Sequence, residues 1–232
     1  MPAFSLALAA LLMPSLAQAQ SSIEDFQLGG SAKPLGEDCI RLTPDQPYLT
    51  GSAWFEEPVD LTQAFEMKMS LVLGKKDFDG ADGIVFVFHP SMTTGFRGEG
   101  MGFAGLRPSL GIEFDTYQNY HLNDPFDDHL AIMTNGELFH AEGSTKELPN
   151  LEDGVRHKLR ISWSPTSGMT IHLDDTLRGS ISATRVKAVF GGNTKVFWGM
   201  TAGTGRLFNN QDVCIESMLL GARVRPRPER EI

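Results

Sequence analysis

The sequence has 232 residues and carries 20 Lys and Arg against 29 Asp and Glu, which gives a formal net charge of −9. Hydrophobic residues make up 41% and charged residues 21%, a balance typical of a folded domain with a core rather than of a disordered chain. The acidic excess argues against nucleic acid or an anionic membrane as the partner.

The chain opens with an uncharged apolar segment, residues 4–16, followed by Ala17-Gln18-Ala19. An apolar run with a small-x-small site after it predicts a secretory signal peptide over residues 1–19, although no Lys or Arg precedes the run. The run is shorter than the roughly 20 residues that a membrane span requires. We therefore expect an exported protein without a membrane span, either secreted, periplasmic or on the cell surface.

The sequence contains 2 cysteines, Cys39 near its start and Cys214 near its end. An even number of cysteines in an exported chain favours a disulfide, with two buried free thiols as the alternative. A Cys39–Cys214 disulfide would require the first and last strands of the domain to be neighbours.

Apolar residues recur at strand spacing through the rest of the chain. The segments with this pattern are residues 65–73, 84–88, 159–163, 169–173, 196–200 and 213–220. The continuous apolar run at 84–88 predicts a strand that is covered on both faces. The turn sequence between 159–163 and 169–173 predicts a hairpin.

Helical signals are few, and the best covers residues 182–190, where Gly191-Gly192 ends it. Many short strands, 24 Gly and 13 Pro, without β-α-β alternation, predict an all-β sandwich of one domain. The last ten residues, 223–232, interleave Arg with Pro and are predicted to form a solvated tail.

The most informative stretch runs from residue 111 to residue 132. Glu113 and Asp115 alternate with apolar residues on a predicted strand, and two residues along a strand span about 6.6 Å, so both carboxylates lie on one face and close enough to share a bound metal. From Glu113 to His129 there are five acidic side chains and no Lys or Arg. Such carboxylates repel one another, and a bound cation is the simplest compensation, with a solvated acidic loop as the alternative.

The types of ligand indicate which cation fits. Oxygen donors from Asp115, Asn119 and Asp124 suit calcium, which takes six to eight oxygens. Glu113 and His129, sharing the two aspartates as bridges, would form a second site of mixed oxygen and nitrogen ligands.

This pattern resembles the metal-binding signature of the legume (L-type) lectins. The matching positions, in order, are Glu113, Asp115, Tyr117, Asn119, Asp124 and His129. The resemblance implies an all-β, concanavalin A-like jelly-roll sandwich of two antiparallel sheets over residues 20–222. In its details the chain looks closer to secreted bacterial members than to plant members.

The resemblance also implies two metal sites. Calcium would be held by Asp115, the Tyr117 carbonyl, Asn119 and Asp124. A transition metal such as Mn²⁺ would be held by Glu113, Asp115, Asp124 and His129. The chain departs from the family pattern after His129, where no serine completes the transition-metal shell. The other five histidines lack ligand spacing and are predicted to be structural or surface groups, namely His89, His121, His140, His157 and His172.

Three further segments resemble the sugar-binding parts of these lectins. The Ala81-Asp82-Gly83 segment implies that Asp82 follows a cis peptide and accepts hydrogen bonds from two sugar hydroxyls, although an isolated Asp-Gly is more often a turn. In the Gly-rich segment 98–105, Gly100 is favoured over Gly98 as a backbone donor to the sugar. The specificity loop of the family corresponds to a segment whose variable contacts fall on Gly205, Arg206 and Leu207.

Sugar chemistry explains this combination of residues. Asp82 and the Asn119 amide can pair with adjacent hydroxyls, and the Tyr117 ring can pack on the C–H face of a sugar. Calcium would fix Asn119 and Tyr117 in place, and so act as an organiser rather than a catalyst. The expected partners are therefore glycans or glycoconjugates, and a homodimer is the assembly considered.

A glycoside hydrolase and a structural or adhesion module are the two alternatives to a lectin. Some sandwich glycoside hydrolases carry Glu-x-Asp-x-x-Glu on a strand, and Glu113 and Asp115 fit its first two places. The third place is Gln118, whose amide cannot serve as acid or base, so we predict that the protein is not an enzyme. The other alternative is a structural or adhesion module that the metals stiffen without any sugar binding.

Overall fold

The computed structural model describes residues 23–221. The predicted signal peptide, residues 1–19, and the predicted tail, residues 223–232, lie outside the described residues. Two antiparallel sheets make up the described part, which confirms the all-β prediction. Between residues 23 and 221, no helix is long and apolar enough to cross a membrane.

Fifteen strands build the two sheets. In chain order they are β1 (Phe26–Gly30), β2 (Lys33–Pro34), β3 (Cys39–Thr43), β4 (Thr50–Phe55), β5 (Val59–Asp60), β6 (Phe65–Val72), β7 (Gly83–His89), β8 (Leu110–Asp115), β9 (His129–Thr134), β10 (Thr145–Glu147), β11 (His157–Ser164), β12 (Gly168–Leu173), β13 (Thr176–Ile181), β14 (Lys195–Gly203) and β15 (Gln211–Leu220). One sheet has the order β1-β4-β14-β7-β8-β9-β10, with β5 paired to β14. The other has the order β13-β12-β11-β6-β15-β3-β2.

The main core lies between the two sheets, and strand β7 shows how the sequence builds it. Its alternate residues Ile84, Phe86 and Phe88 belong to this core. Val85 and Val87 point to the other face and pack in a second apolar cluster that includes Phe103 of the β7–β8 connection. The connection therefore covers the outer face of the sheet, and the predicted burial of this strand on both faces is confirmed.

The other local predictions agree with the structure. The β11–β12 hairpin pairs residues 159–164 with 173–168 across the predicted turn. The α-helix of the described residues, α1 (Ala183–Val189), begins after Ser182, whose hydroxyl accepts a hydrogen bond from the Arg185 N–H at 3.3 Å. A serine in this position satisfies one of the unpaired donors of the first helical turn.

The predicted disulfide is confirmed. Cys39 and Cys214 stand opposite each other in the β3–β15 register and are bonded to each other. The first and last long strands of the second sheet are therefore joined across 175 residues of chain. On the chain-entropy model, a loop of this length contributes about 4–5 kcal/mol to stability.

Strand register brings the candidate site residues to one end of the first sheet. At that end Gly83 of β7 pairs with Asp115 of β8, and also with Gly203 of β14. On the other side of β8, Asp115 pairs with His129 of β9. The end of β8, the start of β7, the end of β14 and the start of β9 thus meet in one place.

Candidate functional site

The metal-binding residues predicted from sequence are brought together at this sheet end. Glu113 and Asp115 of β8 are 2% and 3% exposed, and Asp124 and His129 are 7% and 1% exposed. One carboxylate oxygen of Asp115, one of Asp124 and a ring nitrogen of His129 lie within 4.8 Å of one another. The acidic stretch is therefore a buried cluster, so the alternative of a solvated surface loop is wrong for these residues.

The loop between β8 and β9, residues 116–128, is called the metal loop. It folds around its own carboxylates: the Tyr117 N–H donates to Asp115 Oδ1 at 2.7 Å, and the Asn119 N–H donates to Asp124 Oδ2 at 2.7 Å. The Gln118 side-chain amide donates to the Asp124 backbone carbonyl at 3.2 Å. Gln118 therefore helps to hold the loop, a role for which an amide is suited and a carboxylate is not.

The cluster offers several ligand atoms that the protein itself leaves unsatisfied. Within residues 23–221, four buried polar atoms of the cluster have no hydrogen-bond partner, namely Glu113 Oε2, Asn119 Oδ1, Asp124 Oδ1 and His129 Nε2. An unpaired buried polar atom costs about 1–3 kcal/mol. Three oxygens and one imidazole nitrogen converging in this way fit the predicted calcium and transition-metal sites.

The titration behaviour of the cluster reflects the same imbalance. Burial, followed by the neighbouring charge of Glu113, raises the pKa of the Asp115 carboxyl well above its ordinary value. Burial also raises the pKa of Glu113. Burial, with a smaller contribution from His140, lowers the pKa of His129 to about 4, so this imidazole is neutral and able to bind a metal at physiological pH.

His140 lies in this cluster, against the prediction that it is a structural or surface group. It is 4% exposed, and its Nε2 atom lies 3.0 Å from Glu113 Oε2 and 3.4 Å from Asp124 Oδ1. Two hydrogen bonds fix its backbone, to the Leu122 carbonyl at 2.9 Å and from the Asn123 side chain at 2.7 Å. Spacing along the sequence gives no signal for this position, because a loop after β9 returns it to the metal loop.

The sugar-binding half of the predicted site is built around Asp82, which follows a cis peptide bond as the family resemblance implies. Its N–H donates to the Gly203 carbonyl at 3.1 Å, and its own carbonyl accepts from the Thr116 N–H at 2.9 Å. Asp82 Oδ2 is buried and has no hydrogen-bond partner in the described chain. Burial, followed by the charge of Glu99, raises the pKa of this carboxyl to about 7.

The Gly-rich segment approaches the same place. The Gly100 N–H donates to the Arg97 carbonyl at 3.3 Å, whereas Gly98 has open space around its α-carbon and a φ of +63°. Glu99 lies between these two glycines. Its Oε2 atom accepts a hydrogen bond from the Asn119 side-chain amide at 3.4 Å and lies 3.1 Å from His121 Nε2. The role of Gly100 as a donor to sugar stays a prediction.

The third predicted segment also faces Asp82. A Cβ atom on Gly205 would lie 3.8 Å from both carboxylate oxygens of Asp82, so this glycine leaves room in front of them. The loop is held by hydrogen bonds from the Gly205 N–H to the Leu207 carbonyl and from the Tyr48 N–H to the Gly205 carbonyl. Arg206 between them is exposed.

Tyr48 is an aromatic residue that the sequence analysis missed. Its side chain is 64% exposed and its backbone is bonded to Gly205, so it stands next to the Asp82 site. Its position 157 residues before Gly205 in the sequence gives no hint of this neighbourhood.

Comparisons with known proteins agree with this geometry. A family model described as the legume lectin beta-barrel domain matches residues 17–217. The galactose-binding lectin of Arachis hypogaea is 40% identical over 79 residues, which are 31% of this chain and 27% of that protein. Vesicular integral-membrane protein VIP36 of Mus musculus is 27% identical over 237 residues, or 95% of this chain and 63% of that protein. The chain thus spans less than two thirds of these relatives.

Solved structures show the same fold. A lectin from Bauhinia forficata in complex with GalNAc superposes with a TM-score of 0.72 at 19% identity, over 87% of this chain and 95% of that one. The exoplasmic/lumenal domain of VIP36 in its Ca²⁺/Man-bound form gives a TM-score of 0.67 at 21% identity, over 86% and 84%. These relatives come from plants and a mammal, so the closeness to secreted bacterial members stays a prediction.

Proposed function

The chain belongs to the legume lectin (L-type) domain family, and on that premise we propose that it is a secreted, calcium-dependent lectin. It binds a sugar non-covalently at a shallow site between Asp82 and the metal loop. The observation that carries the proposal is that Asp82 and Gly205 lie side by side at one sheet end, next to the metal loop, with buried acceptor atoms on Asp82 and Asn119 that no group within residues 23–221 satisfies.

Each residue has a distinct role in this proposal. Asp82 accepts hydrogen bonds from two adjacent sugar hydroxyls, and the Asn119 amide donates to one of them. The Tyr117 ring packs on the apolar face of the sugar, and Gly100 contributes its backbone N–H in place of its 3.3 Å bond to the Arg97 carbonyl. The loop of Gly205, Arg206 and Leu207 makes the contacts that distinguish one sugar from another.

Calcium in this proposal is held by Asp115, Asn119, Asp124 and the Tyr117 carbonyl. It supplies positive charge to buried carboxylates and fixes the orientation of Asn119, so it supports binding without taking part in a reaction. A related domain, that of VIP36, has been solved in a Ca²⁺/Man-bound form, which supports a metal-dependent sugar site on this fold.

The same residues argue against hydrolysis. Gln118 lies where a sandwich hydrolase needs its second carboxyl group, and here it donates to the Asp124 carbonyl. We therefore propose that the protein releases no reducing ends from polysaccharides. A retaining hydrolase needs an acid/base carboxyl group about 5–5.5 Å from its nucleophile, and the Gln118 amide cannot serve as that acid or base.

A glycan array tests the proposal. The mature protein is applied with calcium, with chelator, and with calcium restored after chelation. We expect glycan signals that chelator removes and calcium restores, and no signal from Asp82→Ala. Glycan binding that chelator leaves unchanged would contradict the calcium-organised site. An absence of glycan binding together with a normal calcium-dependent rise in melting temperature would favour the metal-stiffened module.

A further inference from the structure

His140 lies at the second of the two predicted metal positions. Four potential ligand atoms converge there from four separate parts of the chain: Glu113 Oε2, Asp124 Oδ1, His129 Nε2 and His140 Nε2. His140 Nε2 lies 3.0 Å from Glu113 Oε2 and 3.4 Å from Asp124 Oδ1, and His129 Nε2 lies 3.9 Å from Glu113 Oε2. Adjacent ligand atoms at bond lengths of about 2.1 Å from one ion lie about 3.0–3.5 Å apart. Glu113, His129 and His140 offer ligand atoms within 4.8 Å of one another, so their spacing suits one shared ion, with Asp124 Oδ1 beside His140.

The hydrogen bonding points to an ion rather than to a network of side chains. Glu113 Oε2 faces His140 Nε2 at 3.0 Å, whereas Asp124 Oδ1 and His129 Nε2 have no well-directed hydrogen bond in the part of the chain that is described, although each is almost fully buried. A charged His140 would compensate the two carboxylates but would leave the His129 lone pair without a donor. An ion at the centre satisfies all of these atoms at once.

The histidine rings are oriented for this purpose. The rings of His129 and His140 meet edge to face, with centroids 5.3 Å apart and planes at 83°. The His129 Nε2 atom is buried and has no hydrogen-bond partner in residues 23–221, so this nitrogen is available to a metal.

We propose that His140 is a direct ligand of the second metal and makes that site selective for a nitrogen-preferring ion of the Zn²⁺ class over Mn²⁺. Two imidazoles with two or three carboxylates suit Zn²⁺, Co²⁺ or Ni²⁺, whereas carboxylates with carbonyls and water suit Mn²⁺. This ligand set differs from the one that the sequence motif implies, which contains one histidine. The inference builds on the proposed metal pair, but it concerns ion identity and can fail without affecting sugar binding.

Metal titration in the absence of sugar tests the proposal. The full mature chain, with calcium saturating, is titrated calorimetrically with Zn²⁺ and with Mn²⁺. We expect one Zn²⁺ per chain, bound at least about 100-fold more tightly than Mn²⁺, as the order of stability for mixed nitrogen and oxygen sites predicts. His140→Ser should weaken Zn²⁺ by at least about 10–100-fold, the loss typical even of groups that only support a ligand. Its effect on Mn²⁺ should be much smaller.

Two further variants and one spectroscopic measurement keep the result interpretable. His140→Gln retains a polar side chain of similar reach, and it should lose Zn²⁺ as His140→Ser does while keeping its circular dichroism spectrum. His172→Ser, on β12 of the other sheet, is the matched control and should bind Zn²⁺ normally. X-ray absorption at the zinc edge should count two imidazoles in the unmodified protein and one in His140→Gln.

Three results would overturn the inference. One is a single imidazole on zinc in the unmodified protein, and another is similar affinity for Zn²⁺ and Mn²⁺ that His140→Gln leaves unchanged. The third is no binding of either ion when calcium is saturating, which would make His140 an internal cation that replaces the metal. Sugar binding is measured separately, so zinc selectivity without glycan binding would contradict only the proposed function.

Discussion

The two halves of the sugar site are held in different ways. Asp82 is fixed at the sheet end, because its N–H donates to the Gly203 carbonyl of β14 and its carbonyl accepts from the N–H of Thr116, the residue directly after β8. Asn119 lies in the metal loop, where its backbone N–H donates to Asp124 Oδ2 while the other oxygen of that carboxylate, Oδ1, has no hydrogen-bond partner in the described structure. The protein alone therefore positions the first half, whereas the second half needs a cation to balance its charge.

This difference separates two functions of adjoining residues, sugar binding and metal binding. In the proposed site, Asp82 binds the sugar and has no direct part in holding calcium, whereas Asp124 binds the metals and affects the sugar only through Asn119. Substitution on the Asp82 side should therefore remove one function, and substitution on the metal side should remove both.

The largest effect is expected for Asp124→Ala, which removes a predicted metal ligand from the metal loop. It should abolish calcium and sugar binding together, because Asp124 both ligates the metal and accepts the Asn119 N–H. With calcium at about 100 times its Kd, the lost linkage is about 2.7 kcal/mol, or about 5–10 °C in Tm for a domain of this size. Calorimetric unfolding with and without calcium measures it. Asp127→Asn, an exposed acid in the same loop, should keep the calcium shift.

Asp82→Ala should remove sugar binding and leave calcium binding intact. Glycan binding is lost because the acceptor for the sugar hydroxyls is gone, while calcium affinity and the calcium-dependent rise in Tm remain. Isothermal titration with calcium, run beside a glycan-binding assay, separates the two. Asp82→Asn keeps the shape of the side chain and should lose most of the glycan signal too. A variant at this position that binds sugar normally would place the site elsewhere.

Glu152→Gln extends the comparison to a buried carboxyl group whose partner is a protein side chain rather than a predicted metal. Glu152 is 2% exposed and accepts a hydrogen bond from the Asn209 side chain at 2.8 Å. Burial raises the pKa of Glu152 from 4.5 to about 8, so its ionised form is disfavoured in the fold. Stability should therefore fall as the pH rises through this interval, and the loss should be complete above about pH 8.

Replacing Glu152 by glutamine removes that titration. The variant should be more stable than the parent protein by on the order of 1 kcal/mol at the alkaline end, with little difference at acidic pH where both side chains are neutral. Urea unfolding at acidic and alkaline pH checks this. The opposite sign, a variant that loses stability at alkaline pH, would mean that Glu152 is needed in its charged form, as a ligand would be.

The smallest effect is expected for Glu99→Gln, which lies between the two halves. Glu99 contributes to the pKa of about 7 at Asp82, so its removal should lower that pKa. If ionised Asp82 accepts from the sugar hydroxyls, affinity falls as the pH drops below about 7, and in the variant this fall should move towards lower pH. Glycan affinity measured across a pH series gives the midpoint, and an unchanged midpoint would exclude Glu99 as a contributor.

The same division describes what sequence could predict. Alternation of apolar residues was sufficient for β6, β7 and the β11–β12 hairpin, because burial on one or both faces dictates the pattern directly. The Cys39–Cys214 disulfide followed from cysteine count and position. The metal loop was predicted because its ligands lie within 17 residues of one another, from Glu113 to His129.

What the sequence could not predict lies on segments that only the fold brings together. His140 reaches the cluster through a loop after β9, and Tyr48, which lies 157 residues earlier in the sequence than Gly205, is bonded to that glycine. Glu99 sits in a glycine-rich segment whose backbone path determines which residue faces Asn119. In each case the partner depends on loop conformation, for which local periodicity carries no information.

Hydrogen exchange with and without calcium tests most directly the claim that the metal holds one half of the site and the sheet holds the other. Calcium should slow exchange of the backbone amides of the metal loop from Tyr117 to Asp128 by at least about tenfold, because a bound ion removes its local opening. The amides of Asp82 and Thr116, whose hydrogen bonds fix Asp82, should exchange at the same rate in both conditions. Equal slowing of both regions, or no slowing of the metal loop, would contradict the account.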